Sequence, residues 1–500
     1  MKRILTTLFS IAVAAVAVSA QTVTVVTTSA GTLQSALTTA PDQVVALTIQ
    51  GSVNAGDLEF VNTKMTSLES LDLKAATIEA YYGAGHDING IQRYDANYLP
   101  AMIFAGLRAK TLTLPSTAKL RIGEGAFVGA ALTSMTIPEN VGEVGDGAFA
   151  GCPALKSVIV KTDTGLGSDI FANCTALTSA DISAVSEVPV RMFDGCTSLS
   201  SVTANPNGVA IGVAAFRGCK ALKSFDFAST LTSLQTSAFE CSGLQKVDMT
   251  ACSDIFAVGQ YVFANCSDLT EVSFADNILN ISDGALFNCE KLSTIHLPVS
   301  LTGLSVAMLS NTAIAGKLEL PKMSMTIGDY ALTGADDVSE LDIPASVFYI
   351  GNEAMSGMTG LQRINVSAHQ AIPSIGVDVW SDVDQPHVKL IVADEMYGEF
   401  KAAEQWNEFD IEMVSGTDDI ATDATGVSVK GRFEGTDLHI VAVGAQLKHV
   451  ELYDVSGALL TAVDACENEI VVSTAAYTTR VYVVNVLLAD GNRAAVKLIR

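Results

Sequence analysis

The stretch Asp146–Val160, DGAFAGCPALKSVIV, decides the architecture because it keeps returning. It comes back as SDIFANCTALTSADI from Ser168, as VRMFDGCTSLSSVTA from Val190 and as VAAFRGCKALKSFDF from Val213. Anchored on the aromatic, the column reads Phe104, Phe127, Phe149, Phe171, Phe193, Phe216, Phe239, Phe263 and Phe287, in steps of 23, 22, 22, 22, 23, 23, 24 and 24 residues. It continues with Leu309, Leu332 and Met355 and ends at Val379 or Trp380. Self-similarity at this period predicts a solenoid of stacked coils.

Each unit carries its own physics. In Leu155-Lys-Ser-Val158-Ile-Val160 the apolar positions alternate as a short strand requires, with Leu155, Val158 and Val160 facing inward. The return leg brings the Phe and then a small residue into the same interior. One coil cannot bury these groups alone, but stacked neighbours can. Gly123, Gly145, Gly328 and Gly351 fall just before the anchor, where a sharp bend is expected. Pro138, Pro298, Pro321 and Pro344 close strands, as a residue without an N–H can.

The combination I-G-x-x-A-F-x-x-C-x-x-L-x-x-φ-x-φ-P (φ apolar) stands almost intact from Val144 to Val160. Ile122-Gly-Glu-Gly-Ala-Phe127 and Ile327-Gly-Asp-Tyr-Ala-Leu332 repeat its first half. It resembles the BspA-type leucine-rich repeat of bacterial surface proteins, over roughly residues 103–392. The resemblance implies a mainly β repeat protein, secreted or displayed on the bacterial outer-membrane surface, that binds a partner and is not an enzyme.

Around this array, at residues 101–394, the chain divides further. Residues 1–20 have the positive start, apolar core and small-residue end of a secretory signal. Residues 21–100 depart from the strict repeat and suit an N-terminal cap with the first atypical coils. Strand-like Leu47–Ile49 and Leu68–Leu73 flank a helical piece near Asp57–Met65. Residues 395–414, with apolar Tyr397, Phe400, Trp406 and Phe409, suit a C-terminal cap, and acidic, small-residue 415–425 a linker.

From residue 426 to residue 500 the period changes to short β runs: Leu438–Val443, Val450–Val455, Ile470–Val472, Val481–Leu488 and Ala494–Ile499. They predict a small immunoglobulin-like β-sandwich. Val450-Glu-Leu-Tyr-Asp-Val-Ser-Gly457 and Lys497-Leu-Ile-Arg500 resemble a type IX (Por) secretion C-terminal sorting domain, which implies a contact with the secretion machinery. That family's Gly before the penultimate strand is replaced here by Thr479-Arg480.

A net charge of −25 over 500 residues argues against nucleic acid and anionic membrane surfaces. Outside the leader no run is apolar enough to span a membrane. No nucleophile elbow, zincin helix or calcium loop occurs, and the six His are scattered. No cofactor or metal is implied, and Asp378, Asp382 and Asp384 read as a solvated acidic turn rather than a Ca²⁺ site. Cys152, Cys174, Cys196, Cys219, Cys241, Cys266 and Cys289 share one repeat position. Stacked side chains there run parallel at a spacing too long for a bridge, so buried free thiols are expected.

Two surfaces remain as candidate ligand sites for a protein or glycan at the cell exterior, bound by a monomer. The first is the outward strand column, with Asp181, Asp226, Asp248, Ser273, His296, Glu319 and Asp342, and a parallel row Ser134, Ser157, Ser179, Ser201, Ser224, Lys246 and Glu271. Asp226 and Asp248 are expected side by side on consecutive strands. The second is the insertion carrying Tyr81, Tyr82, His86, Tyr94 and Tyr98, whose rings serve either a ligand or the cap itself.

Overall fold

Apolar positions that recur once per coil have nowhere to go but inward, and the chain winds accordingly. The computed structural model describes residues 21–83, 92–116, 118–413, 421–422, 428–434, 436–443, 445–454, 458–477, 481–490 and 493–499. The predicted leader, His86 and most of the predicted linker lie outside them.

The array is a parallel solenoid with two strand columns. One runs through Gln21–Thr27, Val44–Val53, Ser70–Ile78 and Thr111–Thr113, then Ser134–Ile137, Ser157–Val160, Ser179–Asp181 and Ser201–Thr203. It resumes at Lys246–Asp248, Glu271–Ser273 and Thr294–His296, and ends in Gly316–Glu319, Val338–Asp342, Arg363–Asn365, Lys389–Val392 and Asp410–Met413. The second column is made of shorter strands, among them Val141–Val144, Ala210–Ile211, Asn280–Ile281 and Tyr349–Ile350. All pairings in both columns are parallel.

A third hydrogen-bond ladder follows the Phe turn: the Phe127, Phe149, Phe171 and Phe193 N–H groups donate to the carbonyls of Ala148, Ile170, Met192 and Ala215 at 2.8–3.0 Å. It stacks the rings from Phe104 to Phe263 in one file, with centroids 4.9–5.8 Å apart and interplanar angles of 1–23°. The same ladder corrects the anchor column beyond it. Leu286, not Phe287, continues the file: Leu286 is buried and its N–H bonds the Met308 carbonyl, while Phe287 sits one step out and half-buried. At the far end Met355 N–H bonds the Val379 carbonyl, which makes Trp380 the last anchor.

The glycines before the anchor do a different job from the one expected. Gly145 and Gly351 have no left-handed φ. A Cβ there would lie 2.5 Å from the Glu124 amide and 2.4 Å from the Asp329 amide, so they permit the close approach of the preceding coil. The left-handed turns lie two residues either side of the anchor, and non-glycine residues fill many of them, including Asp169, Arg191, Tyr261, Asn265 and Tyr330 at φ 51–59°.

The cysteine column also needs one correction. Cys241 occupies the left-handed position (φ 57°) that Gly218 fills one coil earlier, and buried Ser242 takes the thiol place. All nine cysteines are free, and the six remaining members of the column are buried. Each of the six donates its S–H to the carbonyl of a Phe in the preceding coil, such as Cys196 to Phe171 at 3.1 Å and Cys289 to Phe263 at 3.1 Å. The thiol thus fills space and satisfies an acceptor on the next coil. Burial pushes the Cys196 and Cys266 thiols up to about 12.

The two ends depart from the repeat. At the N-terminal end Asn54 caps the helix Ala55–Lys64, and buried Asp57 accepts from the Gly31, Leu33 and Asn54 amides at 2.7–3.1 Å, tying the first two coils together. At the other end Phe400 of the helix Tyr397–Ala402, Trp406 and Phe409 pack with Trp380 in a cluster of edge-on rings with centroids 5.0–5.4 Å apart.

The C-terminal region has its own core. Two four-stranded antiparallel sheets contribute to one buried cluster: Val429, Leu438, Ile440 and Val472 from the first, Leu447, Val450, Leu452 and Tyr482 from the second. Besides the five predicted runs it contains Ser428–Glu434 and Leu459–Asp464. Ala421–Thr422, inside the stretch read as a linker, already pairs with Ser428 and Val429.

Candidate functional site

The first strand column presents its alternate residues outward in close register. Ser134, Ser157, Ser179 and Ser201 pair successively, and beside them Thr136, Ile159, Asp181 and Thr203 form a second row. Further along, Asp248, Ser273 and His296 pair in one row and Lys246, Glu271 and Thr294 in the other. Glu319, Asp342 and Asn365 follow in the last segment. Six of the seven predicted column residues therefore stand on strands facing one way.

Asp226 does not. Residues 222–228 pair with neither flanking strand, so the sheet is broken between Ser201–Thr203 and Lys246–Asp248. The cause is local bulk. Phe225 and Phe227 take the inward positions that Val202 and Ala204 hold one coil earlier. Their rings wedge against Phe216 and Phe239 at 5.0–5.6 Å. Asp226 is left beside Asn205 and Gly208 in a small cleft, and no strand pairing places it next to Asp248. Ser224 leaves the serine row for the same reason.

Several of the carboxylates are already engaged. Asp181 Oδ1 accepts from the Ser183 amide and hydroxyl at 3.1 and 2.7 Å, and Asp248 repeats this with Thr250 at 3.0 and 2.6 Å. These are Asx turns that close the strand, and the bonds hold both carboxyls below the usual range, most through the hydroxyl. Lys317 reaches Glu319 at 2.5 Å and Asp342 at 2.8 Å, so that pair shares one cation. His296 Nε2 lies 3.2 Å from Asp276, and the two border an open depression of ≈ 360 Å³ with Thr250, Ser253 and Asn277.

Among the described residues of this face, the hydroxyl row Ser134–Ser157–Ser179–Ser201 with Thr136, exposed Ile159 and Thr203 is not claimed by turns or ion pairs, and neither are Ser273 and Thr294 further along. In the sequence this row accompanies the acidic column, and its own signal is serine at four successive repeats, which packing does not require.

In the tyrosine insertion, Tyr81 and Tyr94 pair across a two-stranded hairpin with rings 6.3 Å apart, and Tyr98 lies 6.0 Å from Tyr94. Tyr81 covers Gly56 and Gly83, which spends it on the cap. Tyr82 is 68% exposed with the Arg93 guanidinium 5.2 Å over its ring, and Arg121 stacks 5.0 Å over Tyr98. Burial, first of all, pushes the Tyr98 hydroxyl up. His86 lies outside the described residues.

Among the described residues no three of His, Cys, Asp or Glu converge as a metal site needs, and no helix is long and apolar enough to cross a membrane. The family model described as a BspA type leucine rich repeat region (6 copies) matches residues 97–207, 164–255, 186–315 and 254–382. The chain belongs to the BspA-type leucine-rich repeat family. Solved structures similar to this BspA-type protein include a leucine-rich repeat protein from Bacteroides ovatus, at 18% identity over 75% of this chain and 85% of that one, TM-score 0.47. A leucine rich cell surface protein from Faecalibacterium prausnitzii matches at 20% identity over 57% and 94%, TM-score 0.30. The pneumococcal vaccine antigen PcpA matches at 17% over 74% and 79%, TM-score 0.33. No curated protein sequence matches the chain.

Proposed function

We propose that this BspA-type protein is an exported, non-enzymatic, monomeric adhesion protein that grips an extended protein ligand on its first strand column. The observation that carries the reading is the in-register hydroxyl row Ser134, Ser157, Ser179 and Ser201, with exposed Ile159 beside it. It is a run of short polar groups whose repeated serine packing does not require, on the kind of face where solenoids bind. The same hydroxyls favour a second reading, capture of a polysaccharide for uptake.

The apolar leader with its basic start supports export. The separate core of the two C-terminal antiparallel sheets supports reading residues 426–500 as an immunoglobulin-like sorting domain addressed to type IX secretion.

Purified chain should be screened against matrix proteins and a glycan panel, with Ser157→Arg/Ser179→Arg as the control. Saturable protein binding lost in the double variant supports adhesion, and glycan binding lost in it supports uptake. Ligands bound equally by both place the site elsewhere. A chain ended after Met413 should fold and yet fail to reach the cell surface; surface display would rule out the sorting assignment.

A further inference from the structure

The second strand column carries a surface of another kind. Phe256, Leu279, Thr302, Met325 and Phe348 occupy one repeat position on five consecutive coils. Their backbones form a continuous ladder: Leu279 N–H bonds the Phe256 carbonyl at 2.9 Å, Thr302 that of Leu279 at 3.1 Å, Met325 that of Thr302 at 2.8 Å and Phe348 that of Met325 at 2.9 Å. Unlike the core anchors these side chains point out. Phe256 is 56% exposed, Leu279 45%, Met325 48% and Phe348 62%, and Val299, Met323 and Tyr349, within three residues of stripe positions along the chain, are exposed as well. Large apolar groups on four of five successive coils, with half-buried Thr302 in the middle place bonded to the Leu279 carbonyl, mark an interaction site rather than scatter.

The spacing selects what fits. Coils in this array repeat every 4.9–5.8 Å, as the ring file measures, so four steps span about 20–23 Å. An α-helix laid along the solenoid axis offers one apolar position per turn, at i, i+4, i+7, i+11 and i+14, with a pitch of about 5.4 Å and a length of about 21 Å over those residues. A β-strand presents one face every ~6.7 Å and falls out of step by several ångströms over the same run. Charge selects further. Exposed Asp254 and Asp276 come two and three residues before the stripe position on their coils, with Lys322 the opposing charge, and Asp283 and Asp329, which also accept from Val306 and Asn352, come four residues after it, in a chain of net charge −25.

We propose that this stripe docks an amphipathic α-helix of a basic partner protein, its apolar face running along the solenoid axis and its Lys or Arg residues meeting the flanking carboxylates. The site is separate from the serine row and does not depend on it.

The probe is a synthetic peptide of about 16 residues with Leu or Phe at helical spacing and Lys elsewhere. Its binding to the full chain is followed by fluorescence anisotropy and circular dichroism. Two controls are a peptide of the same composition with apolar residues at every second position, and a helical peptide with Glu for Lys. The helical Lys peptide should bind saturably, gain helicity, weaken as salt rises and outbind both controls at least tenfold. Phe256→Ser/Phe348→Ser, checked for an unchanged thermal transition, should lose at least tenfold; Met325→Glu serves if the double variant is unstable. The proposal falls if the Lys peptide does not saturate, if either control equals it, or if a folded variant binds like the parent.

Discussion

Alanine at Leu286 and, separately, at Phe287 tests which of two adjacent residues holds the core. Leu286 has no exposed surface, and its backbone is locked to the Met308 carbonyl. Truncation there leaves a cavity between coils and should cost about 2–5 kcal/mol. Phe287 carries more apolar area but is only half-buried, so its loss should cost about 1 kcal/mol. Phe171 supplies the reference. It is fully buried between Phe149 at 5.6 Å and Phe193 at 5.7 Å, and Phe171→Ala should cost about 3–5 kcal/mol.

Urea titration followed by circular dichroism reads all three. Coils couple to nearest neighbours, so damage at Phe171 should also broaden or split the transition as the two halves lose their link. If Phe287→Ala costs as much as Leu286→Ala, the file does not continue through Leu286, and the register argued here for the C-terminal half is wrong.

Three further outcomes follow from the same geometry. Thiol counting on denatured, unreduced protein should return nearly all nine cysteines, and three or four intact bridges would contradict the parallel Cys column. Lys223 first, then Lys291, hold the Asp268 carboxyl down to about 2; its contribution is therefore present above the ordinary carboxylate range and lost as pH falls from about 4 toward 2. Asp268→Asn should flatten that part of the stability–pH profile. Burial pushes the pKa of His369 down, so the unfolded chain takes up the proton first and stability falls as pH drops below about 6.5; in His369→Leu that slope should shrink, and an unchanged slope between about pH 6.5 and pH 5 would exclude the residue.

Much of the fold was legible because a solenoid writes its rule once per coil. The Phe file, the inward Leu, the strand alternation and the thiol column all recur at one period. A single coil that states them clearly, such as Asp146–Val160, interprets the rest. Errors came where two chemically similar residues stand side by side. Leu286-Phe287 and Cys241-Ser242 each offer the pattern two registers, and the residue that looks more like its repeat neighbours is the wrong one. Hydrogen bonding decides these cases. Leu286 sends its N–H to the next coil while Phe287 bonds within its own turn, and Cys241 holds the left-handed turn place while buried Ser242 meets Cys266 of the thiol column.

The site was legible only in part, because outward polarity has two uses that look alike in a sequence. Asp181 and Asp248 stand on the expected face, but each is followed two residues later by Ser183 or Thr250, whose amide and hydroxyl claim the carboxylate. The D-x-[S/T] spacing was visible and marks a turn as much as a ligand site. Serines followed by an apolar residue have no such local partner, which moves the weight of the binding argument from the acidic column to the serine row. The apolar stripe is hidden in the sequence for the opposite reason. Phe256, Leu279, Met325 and Phe348 stand just before two-residue strands and two residues ahead of the wholly buried Val258, Ile281, Ile327 and Ile350, so alternation alone assigns both sets to the interior. Apolar exposure on four of five successive coils is a property of the stack that no single repeat displays.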